Sequence, residues 1–326
     1  MHPAFSVIFL TTLIGVGQGL FLALYTGQLY SLANLLPPQD SRSFYAFGGV
    51  IAVAFLIGGL IASFFHLGRP ERAWRSASQW RTSWLSREVI VLPITVVSIA
   101  LYSGLHFIGW TGPWFTVAGV LPVDATLVAG GLAMIAVLLL FVCTAMIYAC
   151  LKFLQEWHSW LTVVNYLLLG SASGFMLAAA FSAWQGVGLV GFYGAWAAIL
   201  TLAAFVTRGA SLLRNRRLRH KSNLQTAIGV RHNHIVQMAQ GATGGSFNTR
   251  EFFHRRPRQV TRGIRIAFLV LVFPVPVVLL LLAYLTSSAT LPVLAFVLQY
   301  LGLIAERWYF FAEARHPQNL YYQYVS

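Results

Sequence analysis

The sequence predicts an all-α integral membrane protein with eight transmembrane helices, packed as two four-helix bundles. Hydrophobic residues make up 58% of the 326-residue chain and charged residues only 9%, whereas a soluble domain carries about 25% charge. Eight apolar stretches recur, roughly 5–30, 44–65, 89–109, 125–151, 160–184, 190–207, 264–285 and 290–312. Each is close to or above the ~20 residues that cross a bilayer as a helix. None shows the alternation of an outer-membrane strand. Residues 1–326 therefore read as one polytopic domain. No convincing internal repeat is present, so the inverted-repeat argument for a transporter gains no support.

The first stretch opens MHPAFSVIFLTTL, without a basic n-region or a small-residue cleavage site, and reads as a span and not as a removable signal. Gly15 and Gly19 form a small-xxx-small face suited to close helix packing. Gln18 and Gln28, and Asn165 in the fifth stretch, are expected to hydrogen-bond neighbouring helices.

The second stretch runs out at Phe65-His66-Leu67-Gly68. Gly68 is expected to close it in the left-handed conformation, and Pro70 to start a short surface helix. The turn 66–88 then holds His66, Glu71, Glu88, five arginines, and Trp74, Trp80 and Trp84. Indole rings suit the headgroup region, and guanidiniums suit lipid phosphate or an acidic partner. An interfacial helix accounts for most of that charge.

His66 and Glu88 need a further reason. They lie at the membrane-entry ends of consecutive spans, on one side, and can stand on two walls of one pocket. Ionisable groups at such depth mark proton or ligand sites. An imidazole and a carboxyl together can hydrogen-bond a quinone oxygen and exchange its proton. On chemistry alone a salt bridge, His66–Glu88 or Arg87–Glu88, is an equal alternative.

Cys143 and Cys150, seven residues apart in the fourth stretch, read as small apolar residues. Two thiols cannot hold an iron–sulfur cluster, which usually needs four, so any cluster belongs to a partner. His158 either lines the pocket of His66 or caps the fifth span, while His106 lies towards the opposite face. A haem between His66 and His158 is the weaker alternative. Pro274 and Pro276 break the seventh stretch, and Glu306-Arg307 and Glu313-Arg315 read as interfacial pairs.

The loop 208–263 is too long for a plain connection. It is basic, yet it carries Ile235, Val236, Met238, Phe247, Phe252 and Phe253, which a solvated basic tail would lack. A segment ordered against a partner fits this mixture. His232 and His234 have no Cys or carboxylate close in sequence and read as surface histidines.

The net charge of +14 is unevenly placed. Eight spans put 21 of the 22 basic residues on one side and only Arg42 on the other. The positive-inside rule then assigns both termini, the turn 66–88 and the loop 208–263 to the cytoplasmic side of a bacterial inner membrane. Nucleic acid is excluded as the reason for the charge.

The run HLGRPERAW followed by WRTSWLSREV, with TTLIGVGQGLF in the first span, resembles the anchor subunit of dimethyl sulfoxide reductase, within the polysulfide-reductase membrane-subunit superfamily. The resemblance implies a haem-free subunit that binds quinone, ubiquinone or menaquinone, beside a ferredoxin-like iron–sulfur subunit. That partner in turn carries a molybdopterin catalytic subunit. It implies that His66 and Glu88 serve the quinone, with Gly68, Arg72 and Ser76 in the same turn. Arg69, Arg75, Trp80 and Arg81, with Phe252 and Phe253, are expected to seat the partner at the lipid surface.

The best-known members of that family hold this turn on the periplasmic side, whereas the charges here put it in the cytoplasm. WRTSWLSREV and ATGGSFNTREFF look more like the branch of cytoplasm-facing sulfite dehydrogenase membrane subunits. Sulfite oxidation coupled to quinone reduction is what this implies. A menaquinol-oxidising anchor, a purely structural anchor and a transporter are the alternatives.

Overall fold

The structure, a computed structural model, describes residues 1–117, 121–186, 188–236, 238 and 251–322, so Phe247 lies outside it. Among the described residues eight helical spans are long and apolar enough to cross a membrane. They are α1 (Phe5–Leu32), α2 (Phe47–Phe64), α3 (Trp84–Ile108), α4 (Ala125–Ala149), α5 (Trp160–Gln185), α6 (Val190–Arg216), the broken span α8 (Arg258–Val272) with α9 (Pro274–Thr286), and α10 (Thr290–Glu313). A π-helical turn, Ser41–Ala46, leads into α2. Short helices α7 (Leu224–Ile228) and α11 (Asn319–Tyr322) lie outside the spans. An unforeseen hairpin pairs β1 (Phe115–Val117) with β2 (Leu121–Val123), Phe115 opposite Val123.

Local chemistry explains several boundaries. Ser83, Asp124 and Ser159 cap α3, α4 and α5 by accepting a backbone N–H, which relieves donors that no helical carbonyl reaches. Gly109 (φ 74°) and Gly186 (φ 68°) end α3 and α5 in the left-handed region. Pro274 has no N–H to donate, and Phe273 before it is distorted to φ −106° and ψ −76°, still in the right-handed region, where the span breaks.

The bundle centres on α1 and α5. A Cβ at Gly19 would overlap the Gly170 carbonyl, and one at Gly174 would overlap the Gly19 backbone; at Gly15 it would touch Gly170 at 3.5 Å. Apolar surface gains nothing by leaving lipid, so close backbone approach and interhelical hydrogen bonds hold such helices together. Around this seam α1 also packs on α2, α4 and α10, α3 packs on α4, and α10 packs on α5, α8 and α9. Gln18 donates to the Val137 carbonyl at 3.1 Å. Gln28 donates to Thr126 at 2.7 Å and accepts from Tyr102 at 2.9 Å. Asn165 donates to Ser211 at 2.9 Å and accepts from Thr207 at 2.7 Å. Each of these three amides thus finds its partners on neighbouring helices. Ile57, Ile61, Val97, Leu101, Leu202 and Val206 point outward, the surface a lipid-facing wall requires.

Both chain ends meet at the arginine-rich end of the bundle. The Met1 amine donates to the Ala314 carbonyl at 2.8 Å, and the Asn319 amide to the Phe252 carbonyl at 2.9 Å.

Candidate functional site

The turn between α2 and α3 begins where α2 tightens. Successive i to i+3 bonds, from Phe65, His66 and Leu67 back to Ala62, Ser63 and Phe64, close its last turn. Gly68 is not among the residues with positive φ, a correction to the left-handed closure expected of it. The tightened turn already satisfies the carbonyls that a left-handed cap would serve. A 3-10 helix, Pro70–Gln79, follows with no buried residue.

Guanidiniums and indoles pair along this turn. Arg75 lies over Trp74 at 5.5 Å, Arg81 over Trp80 at 5.4 Å, and Arg87 over Trp84 at 4.2 Å. Arg87 also donates to the carbonyls of Trp80 and Arg81, at 2.9 and 2.8 Å, and so closes the turn onto α3. Arg72 pairs loosely with Glu71 at 3.8 Å with both side chains exposed, a contact worth little. Ser76 donates to the Ala73 carbonyl of its own helix. Arg69, Arg75, Trp80 and Arg81 are all exposed.

The structure does not join His66 to Glu88. His66 is exposed, and what burial it has lowers its imidazole below the usual histidine pKa. Glu88 is only 7% exposed and turns towards α4, where its Oε1 accepts from the Thr144 hydroxyl at 2.5 Å. Among the described residues neither His66–Glu88 nor Arg87–Glu88 forms an ion pair. Two cavities, of about 530 and 470 Å³, lie elsewhere among the described residues. What the turn offers is an open face of imidazole, guanidinium and indole, with one carboxyl group behind it inside the bundle.

Two of the residues expected to dock a partner are used by the chain itself. Phe253 is 1% exposed, and Phe252 stacks on His316 at 3.8 Å, so these rings fasten the segment before α8 to the chain's own C-terminal region. His158 is occupied at the end of α4, its Nδ1 lying 2.6 Å from the Ala149 carbonyl. His106 is held by Ser41 at 2.6 Å at the opposite end of α3.

A second group of charges corrects the interfacial pairs expected near the end of the last span. Glu306 and Arg307 are buried, and Glu306 faces Arg208 of α6 at 2.7 Å between Oε1 and Nε. Arg307 lies 3.5 Å from the other Glu306 oxygen and 3.7 Å from the centre of the Tyr166 ring. Glu313 reaches Arg208 at 4.0 Å, not Arg315. Beside this group a cleft of about 530 Å³ opens at the ends of α6, α8 and α10, its walls including Glu156, Asn215, Arg258, Arg262, Arg265 and Glu313. No sequence signal pairs Arg208 with Glu306, because they meet only when α6 and α10 pack.

Eight apolar spans and a charged turn exposed at one end define an integral membrane protein. The chain belongs to the DMSO reductase anchor subunit (DmsC) family, whose model matches residues 1–312. It is 64% identical over 326 residues, covering all of both chains, to a sulfite dehydrogenase subunit of Allochromatium vinosum.

Proposed function

We propose that this chain is the quinone-reactive membrane subunit of a cytoplasm-facing sulfite dehydrogenase. The observation that carries the reading is Glu88, a carboxyl group sealed inside the arginine-rich end of the bundle, behind an exposed turn of His66, arginines and tryptophans. A buried carboxyl in a membrane helix is costly and is retained for proton or ligand chemistry. His66 hydrogen-bonds a quinone oxygen, and Glu88 exchanges its proton. Gly68, Arg72 and Ser76 line the turn beside them.

Electrons come from outside the chain, whose two cysteines differ in exposure, Cys143 buried and Cys150 exposed, with neither in a disulfide. A ferredoxin-like iron–sulfur subunit seats on Arg69, Arg75, Trp80 and Arg81 and closes the open face over the quinone. A molybdopterin subunit beyond it oxidises sulfite. The full-length likeness to the A. vinosum protein supports sulfite as the donor, and the skew of basic charge supports the cytoplasmic side.

The test is His66→Ala and Glu88→Gln in the assembled complex. Sulfite should still reduce the partner's clusters, while quinone reduction falls at least tenfold. Quinone turnover equal to the parent in both variants would reduce the chain to a structural anchor.

A further inference from the structure

We infer that protons reach Glu88 sideways, along a buried polar belt that joins it to the arginine-lined cleft at the ends of α6, α8 and α10. The inference rests on the reading of Glu88 as the proton carrier of a quinone site. The belt is visible as three cavities in series that share wall residues. Thr144, which bonds Glu88, also lines a cavity of about 20 Å³ together with Thr11, Gln18, Ser173, Tyr166 and Arg307. Tyr166 and Arg307 line a second cavity of about 10 Å³, with Glu306, Arg208, Asn215 and Glu156. Asn215 and Glu156 then line the open 530 Å³ cleft.

These cavities are suited to water. A single water needs roughly 10–15 Å³ of such space and two to four polar partners. Buried atoms without a hydrogen bond stand along the same line: Arg208 Nη2, Glu156 Oε2 and Glu306 Oε2, the last held only by its ion pair with Arg307. Buried polar atoms are nearly always satisfied, by protein or by ordered water. One water in each small cavity satisfies them and turns separate groups into a hydrogen-bonded chain. The guanidiniums stay charged throughout. Waters, the Thr144 and Tyr166 hydroxyls and the carboxylates pass the proton, and Arg208 and Arg307 hold Glu306 in place.

The belt also has a direction. Glu88 is in the second turn of α3, Tyr166 in the second turn of α5, and Thr144 and Arg307 lie within two turns of the ends of α4 and α10. All lie near one depth, so the route runs parallel to the membrane plane and opens on the arginine-rich side. Each quinone reduced to quinol takes two electrons from the partner's clusters and two protons from the water of that cleft. Neither proton crosses the bilayer.

Tyr166→Phe and Thr144→Val test the route, because each removes one hydroxyl and keeps the shape. In the assembled complex both should slow quinone reduction at least fivefold and raise the solvent deuterium isotope effect, with unchanged affinity for a quinone-analogue inhibitor. A high-resolution map of the unaltered complex should show water in both small cavities. Turnover within twofold of the parent in both variants, or dry cavities in the map, overturns the route. Failure of the parent complex to bind the analogue would instead overturn the quinone site itself. Should Tyr166→Phe fail to assemble, Thr144→Val and the water map decide.

Discussion

Arg208 of α6 and Glu306 of α10 stand 2.7 Å apart with side chains 3% and 1% exposed, an ion pair enclosed within a chain that has only eight acidic residues. A second cation, Arg307, flanks the same carboxylate at 3.5 Å. Removing one partner of a buried pair strands the other charge, which costs about 3–5 kcal/mol, whereas replacing both by apolar residues is often close to neutral. Glu306→Gln should therefore unfold well below the parent in detergent, and replacing the whole group, Arg208→Met and Arg307→Met with Glu306→Leu, should recover part of the loss. Equal thermal stability of the single variant and the parent would show the pair to be idle.

At Gly19 and Gly174 the seam between α1 and α5 leaves no room for a side chain. Gly19→Ala drives a methyl into the Gly170 carbonyl, and such overpacking costs about 1–3 kcal/mol. Gly104 has nothing within 4 Å of its would-be Cβ. Thermal unfolding should separate the two, with Gly104→Ala inside ~0.5 kcal/mol of the parent.

Acid should loosen the clasp around residues 251–256. Burial lowers the pKa of His254 and of His316, the ring stacked on Phe252. The folded state thus binds these protons less readily than the unfolded state, whose histidines titrate at about 6.5. Stability from this source is full above that value and is lost as the pH falls below it. Hydrogen exchange of the 251–256 backbone should quicken as the pH falls from about 7.5 to about 5.5, the range that brackets this titration. His316→Phe, which keeps an aromatic stack without the charge, should reduce the effect.

Asp124 caps α4 by accepting from the Leu127 N–H at 2.7 Å and also accepts from the Thr126 hydroxyl, itself the partner of Gln28. Asp124→Ala should cost about 1–2 kcal/mol, the upper part of the range for a lost cap, because the Gln28 network goes with it. A Gln28→Leu background should shrink the difference.

The spans are legible in the sequence because hydropathy reports directly on the hydrocarbon slab, and the Gly15–Gly19 face because it needs only its own helix. Helix lengths are less so. The third helix begins at Trp84 and not at 89, the sixth runs to Arg216 past 207, and the seventh starts at Arg258 before 264. Charged turns that leave the hydrocarbon stay helical without any apolar signal. Pairings such as Arg208 with Glu306, or Glu88 with Thr144, depend on which helices become neighbours and at what rotation. A local charge pattern cannot supply that. The expectation for Gly68 fails for a related reason: a helix can also end by tightening, which asks nothing of a glycine.

The glycine seam has a consequence for how the chain is made. Gly19 leaves the ribosome long before Gly170 and Gly174 exist, so the first span enters the bilayer with its tightest partner still unwritten, and Gln18 and Gln28 meanwhile face lipid or the insertion machinery. The final backbone contact can form only after five spans have been delivered. Until then α2, the next span delivered, is the neighbour on which α1 packs.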